Sequence, residues 1–532
     1  MSGRWPNRPA RRSRATGAAA LACAAAALAG GCGGDEPPDP ATLAPPDAPL
    51  YVESIAKPEG DAKEALEGAL SKLLNSDDPG GVIVDRLQNE LDSEQTEISY
   101  SEDIEPGLGE RAGLFVETFT DDGVSAVAVA VTDAEAARAL IDKAAASLDD
   151  QLEDATYKGV PYRVGAGGAA GIVGDFLVVG TEPGFRAAVD ASQGDSLAED
   201  EEFASARETF ESDFEDAGEE QIVSVYADIP GALDGVADAG DITPEERSIV
   251  EGALGGATDA PVLAAIGASD DSLGFDLSTP GADGAAAPTA AETALLGELP
   301  GDSWAALGFN DVGDAVSQGL QQLQSADVPG VPPGGLPEVI RDQTGVDVES
   351  LVSWIGDVAL FARGTSLLSV GGGAVIETTD PEASAQSLTD LGELLSGQLQ
   401  GEAEVGPLDL EQGGEGFSIQ LPGAPDQIHF AQREDRVAIT YGDDATEEAF
   451  APSEPLAGSE AFENAEGSLG ADLDLTGFVE FEPILELAGV AGASDDPGYA
   501  AAEPYLAHLD FLAFGGRVVE DRALTRVAVG LK

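Results

Sequence analysis

The chain has 532 residues, 43% of them hydrophobic, so it can bury sizeable cores without crosslinks. Its 25 Lys and Arg residues stand against 100 Asp and Glu residues, which gives a formal net charge of −75. Such a surface repels phosphate backbones and argues against nucleic-acid binding. It favours solubility and a loose attraction of divalent cations.

Residues 1–31 have the three parts of a secretory signal. A basic start is followed by the apolar run 18–29 and by the small residues Gly30 and Gly31. The run is too short for a stable membrane span, which needs about 20 apolar residues as a helix. The basic start contains Arg4, Arg8, Arg11, Arg12 and Arg14 and no acidic residue.

Cys32 follows directly after Leu28-Ala29-Gly30-Gly31, a sequence that resembles a bacterial lipobox. The resemblance implies that the Cys32 thiol receives a diacylglycerol group, that the signal is cut before it, and that the new N-terminus is acylated or left free. Two acyl chains give durable anchoring, because each buried methylene contributes about 0.8 kcal/mol. The alternative is cleavage by ordinary signal peptidase, which gives a free secreted protein. Leu28 lies one position earlier than the usual lipobox leucine, which keeps this alternative open.

Residues 33–46 are rich in Gly, Pro and Asp and lack apolar periodicity. With Cys32 they are interpreted as a lipid anchor and flexible tether over 32–46. No later stretch approaches 18 apolar residues. The sequence therefore predicts a protein outside the cytoplasm, held at the outer face of the cell membrane by its lipid.

Few residues are available for catalysis or metal binding. With Cys23 in the signal and Cys32 lipidated, no thiol or disulfide remains, and His429 and His508 are the only histidines. A three-histidine zinc site is excluded, and a Ser-His-Asp triad would have to use one of these two. We predict no catalytic, cofactor-binding or metal-binding residue and no cofactor.

One pattern occurs twice along the chain, which is the sign of an internal repeat. The matching segments keep their order and lie 247 to 260 positions apart by subtraction of residue numbers. The repeat predicts two related units at 47–278 and 302–532, joined by an Ala/Pro/Gly-rich linker at 279–301. Matching pairs include 47–52 with 302–307, 60–62 with 313–315, 127–131 with 374–377, 175–180 with 435–440, Leu197 with Leu456, and Phe203 with Phe462.

Within each unit, helical and strand periodicities alternate. Residues 61–74 place apolar side chains on one helical face, whereas 50–55 and the later short pairs favour strands and hairpins. Helices are expected after Thr132-x-x-Glu135 and Thr379-x-x-Glu382, which fit capping boxes; Asp380 before Pro381 is an alternative cap. Each unit is therefore predicted to be α+β, with a mainly antiparallel sheet packed with helices.

Two further patterns favour structural explanations. Residues 165–170 fit the loose dinucleotide-binding spacing of glycines, but a strand follows where a helix is required, so a hairpin turn is predicted. The acidic segment 199–220 is interpreted as a solvated helix face with its phenylalanines packed inward. A weak surface for calcium or a cationic partner is the other interpretation.

The start Pro46-Asp47-Ala48-Pro49-Leu50-Tyr51-Val52, with Gly60-Asp61-Ala62-Lys63-Glu64-Ala65-Leu66 after it, resembles the domain of unknown function 3352 family of exported bacterial proteins. The resemblance implies an exported location and continuity of fold. It supplies no activity and no site residues.

These observations favour a non-enzymatic, lipid-anchored envelope protein that binds or scaffolds a partner protein or small molecule whose identity the sequence does not indicate. Two alternatives stay open. One is a carboxylate-dependent hydrolase of a cell-wall or glycan substrate, for which a buried pair of acids with raised pKa would be the sign. The other is a carrier of an apolar ligand, which requires a large apolar cavity.

Overall fold

The computed structural model describes residues 37–93, 97–119, 123–147, 152–214, 218–238, 242–243, 247, 260–281, 294–325, 352–366, 369–399, 402–408, 410, 413–470, 473–519 and 522–532. The chain divides into two compact units. Unit 1 is drawn from 1–213, 219–270 and 277–280, and unit 2 from 214–218, 271–276 and 281–532. In the described ranges no helix is both long and apolar enough to cross a membrane. The predicted signal and Cys32 lie outside these ranges.

The strands of unit 1 form an antiparallel sheet, as the sequence predicts. Along the sheet their order is β4-β5-β6-β7-β3-β2-β1-β8-β9. They are β1 (Leu50–Ile55), β2 (Leu108–Val116), β3 (Ser125–Val131), β4 (Glu153–Tyr157), β5 (Val160–Gly165), β6 (Gly168–Val173), β7 (Phe176–Gly180), β8 (Glu220–Ala227) and β9 (Val262–Ala268). A further strand, β10 (Ser272–Pro280), begins in the unit 2 range and ends in the unit 1 range.

Helices separate several of these strands and pack on the sheet. For example, the helix Glu182–Ala191 packs on β3, β6 and β7, and the helix Gly60–Leu73 packs on β8 and β9. The helices are α1 (Gly60–Leu73), α2 (Pro79–Ser93), α3 (Ala134–Ser147), α4 (Glu182–Ala191), α5 (Glu201–Phe214) and α6 (Ile229–Asp238), with short turns at Pro40–Leu43, Tyr100–Ile104, Glu105–Gly107 and Leu197–Glu199.

Unit 2 is also antiparallel, and its first nine strands have the same sequential order along the sheet as those of unit 1. That order is β14-β15-β16-β17-β13-β12-β11-β18-β19, followed by β20. The strands are β11 (Ser303–Phe309), β12 (Ile355–Arg363), β13 (Gly371–Thr378), β14 (Glu404–Pro407), β15 (Glu415–Gln420), β16 (Ile428–Arg433), β17 (Arg436–Tyr441), β18 (Asp474–Glu480), β19 (Leu509–Val519) and β20 (Arg522–Leu531).

The core of unit 2 lies where its helices meet the central strands. Phe478 of β18 and Phe361 of β12 are buried there, together with Leu456 and Leu469. The helices are α7 (Ala294–Gly297), α8 (Val312–Ser325), α9 (Pro381–Gln398), α10 (Asp443–Phe450), α11 (Glu460–Gly467), α12 (Phe481–Val490) and α13 (Pro497–Leu506), with short turns at Leu456–Gly458 and Ala493–Asp495.

The N-caps of two helices differ from the predicted capping boxes. Asp133 caps α3 by accepting hydrogen bonds from the backbone N–H groups of Glu135 and Ala136. Asp380 caps α9 in the same way, which confirms the alternative cap. The preceding threonines are used elsewhere, because the Thr132 hydroxyl donates to the carbonyl of Leu108 and the Thr379 hydroxyl to that of Trp354. These hydrogen bonds connect the start of α3 to the start of β2, and the start of α9 to the start of β12.

The predicted linker 279–301 is structured over its last part. Leu295 and Leu296 of α7, with Leu299 after it, are buried in the core of unit 2. Three leucines in five positions carry enough apolar surface to pack on a core, whatever the Ala, Pro and Gly content before them. Residues 282–293 lie outside the described ranges.

Candidate functional site

The described part of the predicted tether, residues 37–46, packs on unit 1 instead of forming a free tether. We call residues 37–49 the leader. Asp39 caps a short 3₁₀ turn at Pro40–Leu43, and its side chain accepts a hydrogen bond from the N–H of Ala41. Ala41, Leu43 and Ala44 are buried. The N–H of Leu197 donates to the carbonyl of Ala44 at 2.9 Å. The leader is therefore part of the folded unit.

A charged cluster lies beside the leader, around the central strand β1. Glu53 of β1 accepts from the Arg111 guanidinium at 2.8 Å and from the Tyr51 hydroxyl at 3.1 Å. Arg207 of α5 lies 3.8 Å from Glu53 Oε2 and 3.8 Å from Asp39 Oδ2. Arg207 thus connects the leader to the first strand through two carboxylates. We call Asp39, Tyr51, Glu53, Arg111 and Arg207 the Glu53 cluster.

Burial raises the pKa of two residues in this cluster, Glu53 and Tyr51. The Glu53 side chain is 12% exposed, and its burial raises its pKa above the ordinary 4.5, while Arg111 acts in the opposite direction. Burial also raises the pKa of Tyr51 well above 10.0, and the neighbouring Glu53 charge adds to this. Tyr51 therefore remains a neutral donor at physiological pH, while the two arginines stabilise the charged form of Glu53 against the effect of burial.

The raised pKa of Glu53 predicts a pH-dependent contribution to stability. Because the folded state binds this proton more tightly than the unfolded state, the contribution is fully present below pH 4.5 and is lost as pH rises through the raised pKa. Glu53→Gln does not titrate. We expect the free energy of unfolding of the wild type, relative to Glu53→Gln, to fall as pH rises from below 4.5 towards neutrality.

Urea unfolding at a series of pH values, followed by hydrogen exchange of residues 50–55, measures this difference. Glu64→Gln, a change at an exposed position of α1, is the matched control and should follow the wild type. Parallel pH curves for the wild type and Glu53→Gln would contradict the assignment.

Aromatic rings cover the Glu53 cluster. Phe203 of α5 meets Tyr51 edge to face with ring centroids 5.7 Å apart, and it meets Tyr226 of β8 in the same way at 5.1 Å. The space between these rings, Arg207 and Glu211 has a volume of about 20 Å³, which accommodates about one water molecule. This space is too small for a metabolite or an acyl chain.

The two histidines occupy different environments in unit 2. His429 lies on β16 and is 2% exposed, and its Nδ1 lies 2.7 Å from the hydroxyl oxygen of Thr446. Thr446 is itself fully buried, so that hydroxyl is not placed to attack a substrate. His508 follows α13, and its carbonyl accepts from the backbone N–H of Lys532.

The other residues singled out from the sequence either have structural roles or lie outside the described residues. Cys32 lies outside the described residues. The glycine-containing segment 165–170 spans the turn between β5 and β6, with Gly165 paired to Gly168, which confirms the hairpin. Phe203 and Phe210 of the acidic helix α5 are buried, as predicted. Across the described ranges, no three or more His, Cys, Asp or Glu side chains converge as metal ligands.

Sequence reasoning missed the Glu53 cluster. Its central pair, Glu53 and Arg111, is 58 positions apart, and no local spacing connects them. One signal was present: Glu53 lies two positions after Tyr51 in β1, so both side chains point to the same face of the sheet. A charged residue on an aromatic face requires a partner.

Comparison with known families identifies the family of this chain. Residues 82–485 match the family described as a protein of unknown function, DUF3352. The chain belongs to this family. No curated protein matches. The chain is similar to the solved structure of TP0453 in crystal form I, at 8% identity over 46% of this chain and 79% of that one with a TM-score of 0.24. For crystal form IV the identity is 11%, the coverage 46% and 80%, and the TM-score 0.24. Likeness at this TM-score carries no argument about fold or function.

Proposed function

We propose that this DUF3352 protein is a non-enzymatic envelope lipoprotein, anchored through Cys32, that holds a binding or scaffolding surface close to the outer face of the cell membrane. The observation that carries the proposal is the packed leader. Asp39, where the leader joins unit 1, is seven positions after Cys32, and seven residues span at most about 25 Å. A lipid on Cys32 would therefore keep unit 1 within that reach.

We also propose that the two units, at about 47–278 and 302–532, are copies of one ancestral unit. The support is that β1–β9 and β11–β19 have the same antiparallel order and that the sequence matches keep register. The short turns before α5 and α11, Leu197–Glu199 and Leu456–Gly458, are each held by an equivalent backbone hydrogen bond. Leu197 donates to Ala44 in one unit and Leu456 donates to Leu299 in the other, at 2.9 and 2.8 Å.

The copies differ where the leader packs. In the matched segments, Tyr51 corresponds to Ala306. At the same offset, Glu53 corresponds to Gly308. The Arg207 position, counted from the Phe203 and Phe462 pair, corresponds to Glu466. The charged part of the cluster is thus proposed as a specialisation of unit 1 for holding the leader.

The geometry of Glu53 bears on the hydrolase alternative. A raised pKa suits a general acid, but the oxygens of Glu53 already contact Arg111, Tyr51 and Arg207, and the adjacent space admits about one water. A glycosidase needs two carboxylates with room for a sugar between them. These observations favour a structural role for Glu53.

Replacement of the lipidated residue tests the proposal. In Cys32→Ser cells we expect the protein to leave the membrane fraction and the lipid mass on the N-terminal peptide to disappear, because only the acyl chains give durable anchoring. Cell fractionation with mass spectrometry of that peptide measures both. Cys23→Ser is the matched control and should remain in the membrane fraction. Unchanged partitioning of Cys32→Ser would overturn the anchor, and turnover of a cell-wall or glycan substrate by the purified mature protein would overturn the non-enzymatic assignment.

A further inference from the structure

A hydrogen bond to the Nδ1 side of the ring holds His429 in one orientation. Its ring lies between β16 and the start of α10, with Nδ1 2.7 Å from the Thr446 hydroxyl oxygen. The same hydroxyl lies 2.7 Å from the Thr440 hydroxyl and donates to the carbonyl of Gly442 at 3.0 Å. A carbonyl oxygen only accepts, so the single proton of Thr446 is used there.

This chain of hydrogen bonds favours one tautomer of the neutral His429 ring. Because the Thr446 proton goes to Gly442, the Thr446 oxygen accepts from the other two groups, namely Thr440 and the Nδ1–H of His429. The neutral imidazole then carries its proton on Nδ1 and a lone pair on Nε2. Histidines that bind metals are oriented in this way, with one ring nitrogen donating to the protein and the other left for the ion.

The Nε2 lone pair faces another electron-pair donor. Nε2 lies 3.2 Å from Asp443 Oδ1, yet within the described residues it makes no hydrogen bond. Two acceptors at this distance repel each other unless a cation lies between them.

The separation of the two atoms fits a metal ion. With ligand distances of about 2.0–2.2 Å, two tetrahedral ligands of Zn²⁺ lie about 3.3 Å apart, close to the observed 3.2 Å. The Asp443 side chain is 84% exposed, so the carboxylate side of the site is open to solvent. The acidic first turn of α10, Asp443 and Asp444, offsets the positive end of the helix dipole.

We propose that His429 Nε2 and Asp443 Oδ1 bind one transition-metal ion of the Zn²⁺ class, with water in the remaining coordination positions. An imidazole ligand selects Zn²⁺, Ni²⁺ or Cu²⁺ over Ca²⁺ and Mg²⁺, which prefer oxygen ligands only. This separates the site from the loose attraction of hard cations by the acidic surface. Asp426 is close enough to influence His429 electrostatically and adds negative charge to the site.

The test uses Zn²⁺ as the probe, with excess Ca²⁺ present to occupy the acidic surface. In calorimetric titration of the mature protein we expect one saturable zinc equivalent in the wild type. We expect this binding to be lost in His429→Asn and weakened tenfold or more in Asp443→Asn. Two matched controls, Asp444→Asn in the same helical turn and His508→Gln, should bind as the wild type does. Equal zinc binding by Asp443→Asn and Asp444→Asn would overturn the proposal.

A second measurement keeps the test independent of variant folding. The nitrogen NMR spectrum of wild-type protein with ¹⁵N-labelled histidine contains the signals of two imidazole rings. The spectrum of His508→Gln assigns them to His429 and His508. We expect His429 to carry its proton on Nδ1 and its Nε2 signal alone to shift on zinc addition. A proton on Nε2, or an Nε2 signal that zinc leaves unchanged, would contradict the site.

Discussion

Truncation of Phe478 to alanine is expected to lower the free energy of unfolding of unit 2 by about 3–5 kcal/mol. The Phe478 ring is fully buried in the core of unit 2 and meets Phe462 edge to face, with centroids 6.4 Å apart. Its removal leaves a cavity between β18 and α11 that the rigid sheet cannot fill. Urea unfolding followed by tryptophan fluorescence measures the loss, because Trp304 and Trp354 both lie in unit 2.

The control for this change is Phe275→Ala, which removes a phenylalanine ring that is 42% exposed. Changes at such positions cost about 0.5 kcal/mol or less when the ring packs little. Equal losses for Phe275→Ala and Phe478→Ala would mean that the core of unit 2 is placed wrongly.

The second large effect is expected at the leader. Leu43→Asp places a carboxylate where Leu43 is 3% exposed. An unpaired buried charge costs several kcal/mol, more than a short turn contributes, so the leader should leave unit 1 while the sheet stays folded. The free chain after Cys32 then ends at β1 instead of at Asp39, so that it grows from seven to 18 positions, and its maximal reach grows from about 25 to about 65 Å.

Energy transfer from a label on unit 1 to acceptor lipids reports this change in lipidated protein on vesicles. The sequence contains only Cys23 and Cys32. Because the proposed processing removes Cys23 and acylates Cys32, Asp195→Cys would provide a single labelling position, two residues before Leu197. Transfer should decrease in Leu43→Asp. It should stay at the wild-type level in Thr42→Ala, a change at an exposed neighbouring position.

Local signals in the sequence were sufficient for most elements. The alternation at 50–55 and the apolar face at 61–74 predicted β1 and α1, and the hairpins of 160–173 and 509–531 followed from short strands around turns. Where two local signals competed, the sequence did not decide between them. Thr132 and Asp133 both suit an N-cap, and the Leu108 carbonyl, which tertiary structure brings near, takes the Thr132 hydroxyl.

The sequence of the leader contains a helix-start signal, an Asp-Pro pair, that its composition obscured. Asp39-Pro40 has the same form as Asp380-Pro381 and Asp496-Pro497, and all three begin helical turns capped by the aspartate. The abundance of Gly and Pro around it favoured a tether. The buried alanines and Leu43 supply little apolar surface each, so their packing depends on Leu197, more than 150 positions later.

The candidate sites could not be predicted because their partners are distant in sequence. Arg207 joins Asp39 and Glu53 across more than 150 positions. His429 depends on Thr446, which α10 brings back over β16. Sequence identified the histidine as one of two and the glutamate as one of 100 acidic residues, but only the fold shows which ones are buried and oriented.

The measurement that tests the anchored, short-leader arrangement most directly is the distance from the labelled Asp195→Cys position to the bilayer in otherwise wild-type lipidated protein. The packed leader predicts strong transfer and a mean separation of about 45 Å or less. Cys32 is within about 25 Å of Asp39, the turn to Ala44 adds about 10 Å, and the label lies two residues, about 7 Å, before Leu197, which contacts Ala44. Weak transfer, equal to that of Leu43→Asp, would contradict the arrangement.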